Sequence, residues 1–96
     1  MGIMESPTLV SNRFYVVSLD IKGGSGADTI SYSKIHANMM VNNYLQECRL
    51  RQVEGEVTLS CVRVDNHSEY TEQEFFDGNV EILGEQLIEK LKISFS

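Results

Sequence analysis

The stretch Arg13–Ile21, RFYVVSLDI, decides how the rest of the chain is read. Tyr15, Val17, Leu19 and Ile21 fall on one side of an extended backbone, with Phe14 and Val16 on the other. That alternation has the two-residue period of a β-strand, and aromatic and β-branched residues suit a pleated surface. A strand that is apolar on both faces needs a covering layer on each, so the segment is expected at the centre of a sheet.

Downstream, residues 22–28 (KGGSGAD) form a glycine-rich break that matches neither GxGxxG nor GxxxxGK[ST] and reads as a turn rather than a phosphate loop. Residues 29–33 add a short extended piece, and Ser33 is placed to cap a helix. Over residues 34–48, Ala37, Met40, Val41, Tyr44 and Cys48 recur at intervals of three and four, the pattern of an amphipathic helix packed on a sheet. Residues 56–64 alternate again, with Val57, Leu59 and Cys61 against Thr58, Ser60 and Arg63, and read as a strand. Asp65, Asn66 and His67 are turn material. Residues 69–76 (EYTEQEFF) carry both a Thr71/Glu74 capping box and strand-favouring aromatics, and the preferred reading is a strand returning as a β-hairpin. After the Asp77-Gly78-Asn79 break, Val80, Leu83, Leu87 and Leu91 at helical spacing predict a C-terminal helix. Upstream, residues 1–11 hold the only proline, Pro7, and read as a frayed arm or short edge strand. The expected fold class is α+β: a small, mostly antiparallel sheet with two helices in the order β-α-β-β-α. A flexible arm over 1–11 precedes one domain over 12–96.

Ninety-six residues allow one core. Two cysteines, Cys48 and Cys61, are too few for a disulfide framework and read as reduced core residues. With His36 and His67 they supply zinc-ligand types but no local ligand spacing, so no metal and no cofactor is expected. Adjacent His67, Ser68 and Glu69 cannot converge as a triad, because neighbouring side chains diverge. No catalytic residues are assigned, and the chain is read as a non-enzyme. No apolar run reaches membrane-spanning length and the first ten residues lack a signal-peptide pattern, so a cytoplasmic protein without membrane partners is expected. Gly2 and Ser6 fit the degenerate myristoylation rule, but no basic segment follows to supply a second membrane signal.

The net charge is -6, which argues against direct nucleic-acid binding. Its distribution is more informative. Residues 64–89 hold eight acids, Asp65, Glu69, Glu72, Glu74, Asp77, Glu81, Glu85 and Glu89, and no Lys or Arg, leaving six acids against all eight bases elsewhere. In the expected helix, Glu81, Glu85 and Glu89 form one row at i, i+4 and i+8, where like charges oppose the helix by about 0.2–0.5 kcal/mol per pair. Neighbours in that row would sit about 6 Å apart, near two phosphate steps of a DNA strand. These eight residues are therefore the candidate partner-binding set.

In size, charge and lack of a catalytic motif, the chain resembles small acidic phage-encoded proteins that act as DNA mimics during host takeover, some against nucleoid proteins such as HU and others against polymerases or nucleases. The resemblance rests on the 64–89 segment and carries no residue-by-residue motif. It implies a stoichiometric inhibitor that occupies the nucleic-acid-binding surface of a basic host protein. The alternative is a structural or assembly protein that forms a homodimer or larger homo-oligomer and uses its acids only for solubility.

Overall fold

The computed structural model describes residues 6–95. Its sheet is built from β1 (Arg13–Ile21), β2 (Ala27–Ser31), β3 (Gly55–Val64) and β4 (Ile82–Ile93), in spatial order β2-β1-β3-β4 with every pair antiparallel. Helix α1 (Lys34–Arg51) joins β2 to β3, and a 3-10 turn (His67–Glu69) and short α2 (Glu72–Phe76) lie between β3 and β4. The fold is thus α+β with an antiparallel sheet and two helices, as expected. The order along the chain is β-β-α-β-α-β, because Ile82–Ile93 is a strand and Glu72–Phe76 a helix. Among the described residues, no helix is long and apolar enough to cross a membrane.

β1 is interior, flanked by β2 and β3, and each of its faces is covered by a different layer. On one side Val17 and Leu19 join Val57 and Leu59 of β3 beneath Ala37, Val41 and Cys48 of α1. On the other, Phe14 joins Ile30, Val62, Val64, Val80 and Leu9, with Phe75 and Phe76 of α2 packed against them. Phe75 meets Phe14 edge-on at 5.0 Å between ring centroids, a favoured aromatic arrangement.

Ser33 caps α1 as expected, accepting from the His36 backbone N–H. The helix runs to Arg51, beyond the anticipated end at 48, and stops at Gln52 in the left-handed region (φ 54°), whose N–H reaches the Arg49 and Cys48 carbonyls. The glycine-rich segment is a β1–β2 hairpin connection. Gly26 is required there by close approach, since a Cβ at that position would lie 2.4 Å from the Leu19 carbonyl oxygen.

Two expectations are corrected. The C-terminal helix expected over 80–91 does not form: from Ile82 the chain is β4, which completes the pairing of β3, and its ladder shifts register between Leu59 and Ser60 and between Arg63 and Val64. Each shift inserts an extra residue, Ile88 and Leu83 respectively, which turns a two-residue period into odd spacings that imitate a helix. Residues 69–76 form no hairpin, because the Thr71/Glu74 capping box is realised and starts α2. The described part of the 1–11 segment, read as a frayed arm or short edge strand, carries one isolated β-bridge and backbone hydrogen bonds to the 70–72 stretch. Thr8 bridges Thr71, Leu9 is 2% exposed and donates its N–H to the Tyr70 carbonyl at 2.9 Å, and the Glu72 N–H reaches the Pro7 carbonyl at 2.9 Å. Gly2 lies outside the described residues.

Substituting Gly26→Ala forces the new methyl against the Leu19 carbonyl and should destabilise the fold by about 1–3 kcal/mol, the range for overpacking. Urea denaturation measures it; an unchanged midpoint would show that the hairpin relaxes freely.

Candidate functional site

The acidic segment leaves the sheet where β3 ends. Asn66 turns the chain in the left-handed conformation (φ 47°), with its N–H bonded to the Asp65 carboxylate at 2.9 Å. Thr71 then caps α2 reciprocally: the Glu74 N–H donates to Thr71 Oγ1 at 3.1 Å, and the Thr71 N–H donates to Glu74 Oε1 at 3.1 Å. Glu72 and Glu74 also sit in the first turn of the helix, where negative charge is favourable. Asp77 accepts from the Gln73 amide at 2.9 Å, and Gly78 (φ 80°) reverses the chain toward Val80.

One residue, just past the end of β2, ties this segment to the N-terminal stretch. The Tyr32 hydroxyl donates to the Glu72 carboxylate at 3.0 Å while accepting the Val10 N–H at 3.1 Å. Burial raises the pKa of this hydroxyl, the Val10 N–H opposes that, and the hydrogen bond and negative charge of Glu72 add to it.

The eight candidate acids are brought together in part. Asp65, Glu69, Glu72, Glu74, Asp77 and Glu81 all lie in the 65–81 connection, and Glu85 stands near it in the first half of β4. The expected row of Glu81, Glu85 and Glu89 does not exist. Glu81 precedes the strand, Glu85 lies opposite Val62, and Glu89 lies opposite Leu59. Val62 belongs to the Phe14 cluster and Leu59 to the α1 cluster, so Glu85 and Glu89 point to opposite faces of the sheet. The 6 Å spacing also fails, because four residues of strand span about 13 Å. Asp65, Glu69, Asp77 and Glu81 are exposed, whereas Glu72 and Glu74 are half-buried in the bonds just described.

Among the described residues, no ion pair engages any of the eight. The cations Lys22, Arg51, Lys90 and Lys92 are paired instead with Glu54, Glu47 and Glu56, which lie outside the 64–89 segment.

Other chemistry-bearing groups have structural surroundings. Cys48 and Cys61 are free thiols, the first fully buried on the inner face of α1. His67, Ser68 and Glu69 share the single 3-10 turn. Ser31 Oγ lies 2.9 Å from His36 Nδ1, a pair that sequence spacing did not suggest. Ser31 is 2% exposed, and its hydroxyl also lies 2.9 Å from the Ser33 carbonyl, an acceptor that competes with His36 for its one proton. That geometry braces the start of α1. Among the described residues, no three His, Cys, Asp or Glu side chains are grouped as metal ligands. No protein-family model, no curated protein and no solved structure matches the chain.

Because the Tyr32 pKa is raised in the fold, its neutral hydroxyl stabilises the native state below the ordinary tyrosine pKa near 10, and this contribution is lost as pH climbs through the folded value. Carbon-13 NMR of the Tyr32 Cζ should give a midpoint above that of free tyrosine, and Glu72→Gln should lower it. A midpoint at or below the free value would refute the role assigned to burial.

Proposed function

We propose that the chain is a non-catalytic binding protein that presents its 65–81 connection to the nucleic-acid-binding surface of a basic protein, acting there as a stoichiometric inhibitor that mimics DNA. A bacterial nucleoid protein such as HU has the chemistry this requires. The observation that carries the reading is the concentration of six carboxylates in one connection that contains no Lys or Arg, with no ion pair to them among the described residues.

Support comes from charge and rigidity rather than from a regular phosphate-like spacing. A floppy acidic loop would lose much of its binding energy to ordering, whereas this one is held by a reciprocal cap, by Tyr32 and by the backbone hydrogen bonds of residues 7–9. Glu72 and Glu74 supply part of that framework, leaving Asp65, Glu69, Asp77 and Glu81 as the outward charges. Uncompensated carboxylates on a fixed surface steer a cationic partner and make association fast and salt-sensitive.

The triple variant E69Q/D77N/E81Q should fold as the parent does, since Asn at 77 keeps an oxygen for the Gln73 amide. Competition for purified HU against labelled DNA should weaken about tenfold or more, equivalent to about 1.4 kcal/mol per decade. Wild-type competition should fall between roughly 50 and 200 mM salt, and Glu89→Gln, on the other face, should compete normally. Undiminished competition by the triple variant would reject the acidic connection as the binding surface.

A further inference from the structure

β4 is the longest strand, and it lies at the edge of the sheet. Among the described residues, only β3 pairs with it. The opposite edge belongs to β2, which has five residues and no exposed large hydrophobic side chain. Along β4, by contrast, Ile82 is 45% exposed, Leu83 48%, Leu87 56% and Ile88 40%. A long edge carrying four exposed aliphatic residues, with no proline in it, is an invitation to strand addition.

The charges on β4 indicate what should be added. Carboxylate Glu85 lies in the first half of the strand, and ammonium groups Lys90 and Lys92 lie in the second. Both lysines share one partner, Glu56, at 3.4 and 4.0 Å, while Glu85 has no ion pair among the described residues. On the face that looks away from α1, cation is therefore in excess at one end and anion at the other, while Glu89, opposite Leu59, lies on the α1 face. A parallel copy in register would set like charge on like, but an antiparallel copy sets each end against its complement.

The bulge at Ile88 makes this pairing geometrically possible. Residues five apart on a regular strand point to opposite faces. Here one step of alternation is absorbed by the inserted residue: Glu85 lies opposite Val62 and Lys90 opposite Thr58, both on the β3 face that looks away from α1. A two-fold axis perpendicular to the sheet, passing between Leu87 and Ile88, thus brings Glu85 opposite Lys90 of the second copy, and Lys90 opposite its Glu85, on one face. Gln86 and Glu89, on the other face, oppose each other by the same symmetry. Leu87 and Ile88 of both copies meet at the axis. Without the bulge, the same register would set Glu85 and Lys90 on opposite sides of the joined sheet.

We infer that β4 is an isologous homodimer interface, in which a second copy of this chain adds antiparallel along the free edge and the two sheets become one of eight strands. This goes beyond the proposed function and does not depend on it, because Glu69, Asp77 and Glu81 take no part. A closed two-fold contact also caps the edge, where a head-to-tail contact would propagate into fibres.

Sedimentation velocity on the full chain tests the interface by charge exchange. Wild-type protein should sediment as a dimer. E85K alone sets Lys against Lys, and K90E alone sets Glu against Glu, so each should weaken dimerisation about tenfold or more. Mixing the two variants should restore a dimer, since every facing pair is then opposite in sign, and the double exchange E85K/K90E should restore it within one chain. Rescue by mixing also requires both single variants to be folded. Three results would overturn the inference. One is a wild-type monomer up to about 1 mM, where a millimolar contact is already substantially populated. Another is a dimer indifferent to E85K and K90E, and the third is a loss that mixing does not repair.

Discussion

β1 is apolar on both faces, and the molecule is organised around covering them. One face is closed locally in sequence, since β2 leads directly into α1 and α1 folds back over Val17 and Leu19. The other requires parts from distant places: Leu9 from before the strand, Val62 and Val64 from β3, and Phe75 and Phe76 from the far end of the β3–β4 connection. The edge-on contact between Phe14 and Phe75 is where these parts converge. It also explains how so acidic a connection stays ordered. Two adjacent phenylalanines anchor it to the core, while its charged residues either cap the short helix or face outward.

Much of this architecture was legible. The central position of β1 follows from its two apolar faces, the Ser33 cap is where turn chemistry locates it, and Ala37, Val41 and Cys48 of the expected helical stripe are buried. The errors have identifiable causes. In β4 two inserted residues converted alternation into intervals of three and four, and the leucines, glutamates and lysines there are good helix formers. Two signals pointed the other way. Lys90-Leu91-Lys92-Ile93 alternates strictly, and a helix would have lined up three glutamates at a cost that a strand avoids. That repulsion is a sign against the helix.

The 69–76 segment shows the reverse competition. Tyr70, Phe75 and Phe76 have high strand propensity, yet adjacent Phe75 and Phe76 both pack into the same cluster, which strand alternation does not allow. A capping box satisfied from both sides fixes the first turn, and the aromatic pair follows on the inner side. The candidate site was legible as composition and not as shape: sequence identifies eight acids in a segment, residues 64–89, without Lys or Arg, but only the backbone tells that Glu89 is separated from the others. The backbone contacts of residues 7–9 with 70–72, made across more than sixty residues, left no local signal at all.

That docking has a consequence for how the protein comes into being. Leu9 and Thr8 are among the first residues of the described chain to be synthesised, yet they dock on Tyr70 and Thr71. Phe14 likewise awaits Phe75. At about 5–20 residues per second, this leaves the greasy underside of the central strand bare for several seconds after it leaves the ribosome's active centre. The α1 side can close earlier, from a contiguous piece. Biogenesis is therefore two-stage, with a half-covered sheet that waits for residues 70–76 and is, for that interval, a substrate for chaperones or for mispairing with a nascent neighbour.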